Sequence, residues 1–180
     1  MASRLDQLVS SPAAGLDQPF EMLHACHERI ERTLALLGRL EAHVATNGAD
    51  EQARQAARDV LRYFDLAAPQ HHLDEERHVL PALRASGDPA LAALAGRLEA
   101  DHRAMESAWA VARQVLEQVA GGALTRLDAA QQQALHSFTQ LYAAHIAAEE
   151  GTAFPSAEAR LDPAAVQAMS ADMRARRGAA

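Results

Sequence analysis

A single cysteine, Cys26, stands in 180 residues, so no intramolecular disulfide can staple the chain. Aromatic residues make up only 4% and β-branched residues are sparse, which leaves little material for strands. Ala and Leu dominate instead, the composition of an all-helical protein. There is no run of Lys or Arg and the net charge is −7, so the electrostatic footprint of a nucleic-acid binder is missing. No apolar stretch approaches the roughly 20 residues of a membrane span. The first 16 residues contain no basic region followed by an apolar one, the layout of a secretory signal. These absences lead us to expect a cytoplasmic protein with no nucleic-acid or membrane partner. The length is that of one domain able to bury a core unaided.

Gly and Pro are scarce inside the periodic segments and punctuate them at their ends. The spacing predicts a first helix from about Pro19 to Val44, opened by Asp17 and closed near Asn47-Gly48. A second runs from about Asp50 to Leu80, where Pro81 ends or kinks it. Asp88-Pro89 opens a third that stops at Gly121-Gly122, and the fourth runs from near Asp128 to just before Pro155. Asp162-Pro163 opens a short fifth helix, only weakly amphipathic. Short links make neighbours antiparallel. The expected fold is therefore all-α: an up-down-up-down four-helix bundle with a short extra C-terminal helix. Residues 1–16 are expected to be a flexible segment, 17–157 the bundle, and 158–180 the C-terminal helix and a frayed RARRGAA tail.

The bundle carries an internal repeat. HHLDEERHVLP, from His71 to Pro81, lies over HIAAEEGTAFP, from His145 to Pro155, at a displacement of 74 residues. His71 meets His145, Glu75 meets Glu149, Glu76 meets Glu150, and the prolines coincide. Leu23, His27, Ile30 and Leu34 likewise sit 75 residues before Leu98, His102, Met105 and Trp109. The chain thus reads as two similar helical hairpins. In each, the first helix carries one histidine and the second carries His-x-x-x-Glu.

Residues four apart share a helical face, so His71 with Glu75 and His145 with Glu149 each present a base and a carboxylate one turn apart. Burying such a carboxylate is costly without a partner, and a metal ion is an economical one. Two carboxylates can bridge two ions while the imidazoles of His27, His71, His102 and His145 cap them. That set of four nitrogen and two carboxylate ligands suits iron or manganese, with zinc also able to bind. Six protein ligands leave two ions unfilled, open to solvent, O2, NO or peroxide.

Taken singly, each feature has a plainer reading. A lone histidine on an apolar face is ordinarily structural, and a lone His-x-x-x-Glu is a surface pair worth a few tenths of a kcal/mol. Their recurrence in register is what favours a metal site. His72 and Glu76 are rotated about 100° off the proposed pair and read as flanking or outer groups. His78 shares the face, one turn beyond Glu75, but its counterpart is Thr152; an extra ligand or entry-path role stays open. His24, one turn before His27, has no histidine echo. Glu31 and Glu106 echo each other four residues after His27 and His102, as outer-face groups or substitute ligands. His136 and His43 read as exposed, Cys26 as a small buried residue, and Tyr142 as core packing.

His27 in ACHERIE, His71 and Glu75 in HHLDEERHVLP, His102 in ADHRAME, and His145 and Glu149 in HIAAEEGTAFP together resemble the hemerythrin-like (HHE cation-binding) family over roughly residues 19–155. The resemblance implies a four-helix bundle around a non-haem di-iron centre. Oxygen-carrying members are expected to place two histidines four apart on the third helix, yet here Leu98 and Glu106 flank His102 at that distance. They also use a carboxylate five after the last histidine, which would be Glu150, whereas the repeat favours Glu149. The four-histidine, two-glutamate set looks more like di-iron proteins implicated in nitric-oxide response and iron-centre repair, without the extra amino-terminal domain some of those carry. Fewer histidines favour redox reaction with O2, NO or peroxide over clean O2 carriage. A non-enzymatic oxygen or iron carrier or sensor is the alternative. No separate nucleophile or base is indicated, and an unidentified redox partner fits the chemistry.

Overall fold

The computed structural model describes residues 17–178, so the expectation for residues 1–16 lies outside it. Among the described residues there are helices and turns and no strand. Helix α1 spans Pro19–Asn47 and α2 spans Glu51–Asp74. One π-helical turn, Glu75–Val79, carries α2 into α3, Leu80–Arg84. Helix α4 spans Pro89–Ala120. The last rod is built from α5 (Ala129–Gln140), α6 (Tyr142–Ala148), a second π-helical turn (Glu149–Ala153) and α7 (Phe154–Glu158). Helix α8, Pro163–Arg177, follows.

Aspartates start these helices as the sequence suggests. Asp50, Asp88, Asp128 and Asp162 each accept a hydrogen bond from a first-turn amide, and Asp128 forms a reciprocal box with Gln131. Asp17 does not cap α1: Gln18 holds that position without a side-chain bond, and Asp17 pairs with Arg174 instead. Pro19, at the first turn, already fixes the helical φ there. Gly48, at φ 80°, lets the chain leave α1 sharply, and Ala49 N–H donates to Thr125 O at 2.8 Å. That bond ties the α1–α2 link to the α4–α5 link at one end of the bundle, as up-down-up-down order requires.

The two prolines do not end their rods. A proline in an α-helix lacks the donor for carbonyl i−4 and its ring clashes with it. Here Leu80 N–H reaches back to Glu75 O, and Phe154 N–H to Glu149 O, each one residue further than an α-helix allows. These wide turns lie directly before Pro81 and Pro155, and the helices run on to Arg84 and Glu158. Glu75 and Glu149 are each the first residue of a π turn, a feature frequent at functional sites.

The interior has two apolar clusters. One holds Ile30, Leu37, Phe64, Met105, Leu116, Phe138 and Tyr142. The other holds Phe20, Leu23, Leu80, Leu98, Phe154, Met169 and Met173. Along α1 the order is Leu23, His27, Ile30, and along α4 it is Leu98, His102, Met105, so a polar layer separates the clusters.

The tail is not frayed where it is described: Arg174 to Arg177 complete α8. Met169 and Met173 enter the second cluster, and Arg176 and Arg177 both close on Asp74, whose side chain is fully buried. Asp172 accepts hydrogen bonds from Arg176 (2.9 Å) and Arg77 (3.1 Å) and lies 2.9 Å from His78 Nε2. Arg176 and then His78 hold the Asp172 carboxyl down at about 2, below its ordinary 3.8. The stability this group contributes is therefore present above pH 3.8 and lost as pH falls through about 2. Amide exchange within α8 should accelerate across that window, and Asp172→Asn should show the faster exchange already at neutral pH.

Candidate metal centre

The polar layer brings His27, His71, Glu75, His102, His145 and Glu149 together, none more than 4% exposed. Helices α1 and α4 each bring one histidine. The α2 rod brings His71 and Glu75, and the α6 rod brings His145 and Glu149, because residues four apart stack on one face.

The carboxylate oxygens divide between two groups. Glu75 Oε1 lies 3.2 Å from His71 Nε2 and 3.8 Å from His27 Nε2, while its Oε2 lies 3.3 Å from His102 Nε2. Glu149 Oε2 lies 3.1 Å from His27 Nε2, and its Oε1 lies 3.0 Å from His145 Nε2 and 3.7 Å from His102 Nε2. The result is two overlapping sets, His27-His71-Glu75-Glu149 and His102-His145-Glu75-Glu149, each with its ligand atoms within 4.8 Å of one another. All four carboxylate oxygens and the Nε2 atoms of His27, His102 and His145 are buried without a hydrogen-bond partner, although they crowd together. Atoms that approach this closely without hydrogen-bond alignment are aimed at common points between them. Buried polar groups left unpaired are costly, and a cation at each point would satisfy them. The buried His/Glu clusters fit a metal-binding site.

The electrostatics agree. Burial, then the charge of Glu149, pushes the Glu75 carboxyl above its usual range. Burial acts the same way on Glu149, but His102, His145 and His27 outweigh it and hold that carboxyl well below. Burial drives His71 well below its ordinary value, leaving a neutral imidazole. Two carboxylates this close need positive charge beside them.

The outer edges of the rings are occupied by carboxylates from other helices. Glu150 Oε1 lies 3.0 Å from His27 Nδ1, Glu76 Oε1 lies 2.9 Å from His102 Nδ1, and Asp101 Oδ2 lies 3.3 Å from His145 Nδ1. Glu150 therefore faces outward behind His27, while Glu149 is the carboxylate inside. Ring faces are covered too: Phe154 stacks on His27, and His72 stacks on His102 at 4.1 Å between centroids. Burial pushes His72 down to about 3, so it is neutral, and it borders a cavity of about 40 Å³ shared with Pro69, Met105, Trp109 and Tyr142.

The remaining candidates lie elsewhere. His78 turns to Asp172 and α8. His24 sits 3.3 Å from Glu150 and packs edge-on against Phe154, outside the six. Glu31 and His136 are exposed, Glu106 is exposed at the edge of the cavity beside His72, His43 pairs with Asp50, and Leu98 is core. Cys26 is buried beside His27 in sequence, and its carbonyl accepts from Tyr63 Oη–H at 3.2 Å. A wider groove of about 470 Å³, edged by Arg29, Arg39, Arg62 and Leu66 between α1 and α2, contains none of the six. Two features escaped the sequence reading: Asp101 behind His145, and the Asp74–arginine clamp. The first carries no signal along the chain, because its partner is on another helix. The second was hidden because the last-turn arginines of α8 read as a frayed tail and their partner Asp74 lies on another rod.

Residues 18–157 match the family model described as the hemerythrin HHE cation binding domain. The chain is also 30% identical over 134 residues to an uncharacterized protein of Haemophilus influenzae, an alignment covering 74% of this chain and 76% of that protein.

Proposed function

From the premise that the chain belongs to the hemerythrin HHE cation-binding family, we propose that it is a non-haem di-iron protein that binds or reacts with O2, NO or peroxide. One observation carries the two-ion reading: each of the two buried carboxylates has one oxygen in each histidine group. Glu75 and Glu149 would bridge the ions, His27 and His71 would cap one, and His102 and His145 the other. Iron follows from the di-iron centre that the family resemblance implies, and the mixed imidazole and carboxylate donors suit iron or manganese alike. When bound, the pair of irons supplies redox chemistry toward small oxygen and nitrogen species.

The chain's own residues shape that chemistry. The two apolar clusters keep bulk water from the layer, which strengthens every charge interaction within it. Glu76, Glu150 and Asp101 fix the rings with Nε2 inward. The cavity beside His72 has room on the scale of one small molecule and lies against the layer through the His72–His102 stack. Spectra of the iron-loaded protein after addition of O2, NO or peroxide test the ligand class. A stable, fully reversible O2 adduct would replace the redox reading with carriage.

Metal should also stabilise the fold, because the ligand set exists only in the folded chain. Each ion at a hundredfold excess over its dissociation constant adds about 2.7 kcal/mol. For a chain of this size each bound ion raises Tm by roughly 5–10 °C. Calorimetry with and without a chelator checks the shift, and Glu75→Ala/Glu149→Ala should abolish it.

A further inference from the structure

The repeat that places carboxylates behind the rings fails behind His71, and the failure has a structural consequence. Glu76 and Glu150 are repeat partners, and they act as partners: each lies against the Nδ1 of the lone histidine of the other hairpin. Under the same relation His145 matches His71, and Asp101, which lies against His145 Nδ1, matches Cys26. A thiol is only a weak hydrogen-bond partner. His71 Nδ1 is buried and has no hydrogen-bond partner among the described residues. The three carboxylates that do serve are each about 40% exposed, so they remain hydrated while holding a buried ring.

Carboxylates behind metal-bound histidines fix the ring and raise its donor strength, and losing one costs roughly 10–100-fold in metal affinity. In the group of His102 and His145 both rings are backed. In the group of His27 and His71 only one is. Resting on the two-ion reading above, we infer that the two metal positions are unequal: the ion held by His102 and His145 binds roughly 10–100-fold more tightly than the ion held by His27 and His71. Asp101 is the positioning residue that makes the difference, and Cys26 marks where the second hairpin's device is missing from the first. The protein then loads in order, and at limiting metal it holds one ion on the α4–α6 side.

Equilibrium dialysis of the metal-free protein against Fe²⁺ under anaerobic conditions tests this. Two classes of one ion each are expected, with dissociation constants separated roughly 10–100-fold. His71→Ala should keep the tight class and lose the weak one, and His145→Ala should do the reverse. Asp101→Ala should weaken the tight class until the two merge, while Asp101→Asn, which keeps an acceptor oxygen, should restore part of the gap. Cys26→Asp should close the gap from the other side. Two ions bound with equal affinity would overturn the inequality and leave the two-ion site standing. So would loss of the tight class in His71→Ala, or a folded Asp101→Ala that binds as the wild type does. No ion bound at all would overturn both.

Discussion

Glu149→Ala and Glu75→Ala are each expected to reduce bound iron from two ions per chain to one or none. Each glutamate gives one oxygen to both histidine groups, so neither group keeps its full set when one is lost. Glu76→Ala and Glu150→Ala should leave two ions bound and each weaken one of them roughly 10–100-fold, because these side chains lie behind His102 and His27 rather than between the two histidine groups. Metal analysis at saturating and limiting iron separates the two outcomes. If Glu150→Ala were the change that emptied the site, the five-residue spacing of the oxygen carriers would apply and the bridging assignment would fall. Volume-matched apolar replacement of the two buried carboxylates should move stability the other way. Two carboxylates between apolar clusters are a burden on the metal-free fold, and replacing such buried charge with apolar groups of similar volume is neutral or stabilising by about 1–4 kcal/mol. Glu75→Leu/Glu149→Leu, which removes both carboxylates and lets the imidazoles stay neutral, should therefore raise the unfolding midpoint of the metal-free protein while removing its response to metal.

Arg176→Ala/Arg177→Ala is expected to destabilise the protein by about 3–5 kcal/mol, the cost of leaving a buried charge unpaired. Asp74 is fully buried and both arginines converge on it from α8. Either single replacement should cost much less, since one guanidinium remains. Adding Asp74→Leu to the double variant should recover most of the loss, which distinguishes an orphaned carboxylate from a general failure of α8 to pack. Chemical denaturation of the wild type, the two single variants, the double variant and the triple variant reads the series. A double variant as stable as the wild type would mean that Met169 and Met173 hold α8 in place without the clamp. Asp74 precedes Glu75, so loosening α8 should also weaken metal binding, to a smaller degree than loss of Glu75 itself.

The six inward residues were legible because one pattern occurs twice at a fixed displacement, and helical period then forces His71 with Glu75, and His145 with Glu149, onto one face. Helix starts were legible for a local reason: an aspartate before a first turn needs only its own next three residues. Pro81 and Pro155 were misleading, since a proline says that an α-helical bond is lost but not whether the chain stops or widens by a residue. Here it widens, at Glu75 and Glu149. Asp101 was invisible because its partner, His145, lies on a different rod, and which outward carboxylate meets which ring depends on how the helices are rotated. The arginines of the final turn suggested a loose tail by composition, yet their partner Asp74 sits half the chain away and became buried only once the bundle closed.

The central claim is that two ions share Glu75 and Glu149 between the four imidazoles. Metal analysis of the chain prepared without a histidine tag, at anaerobic equilibrium with excess ferrous iron, tests it most directly. Two irons per chain are expected, falling to one or none in Glu149→Ala. A wild-type chain that takes up no iron, or a Glu149→Ala chain that still takes up two, would contradict it.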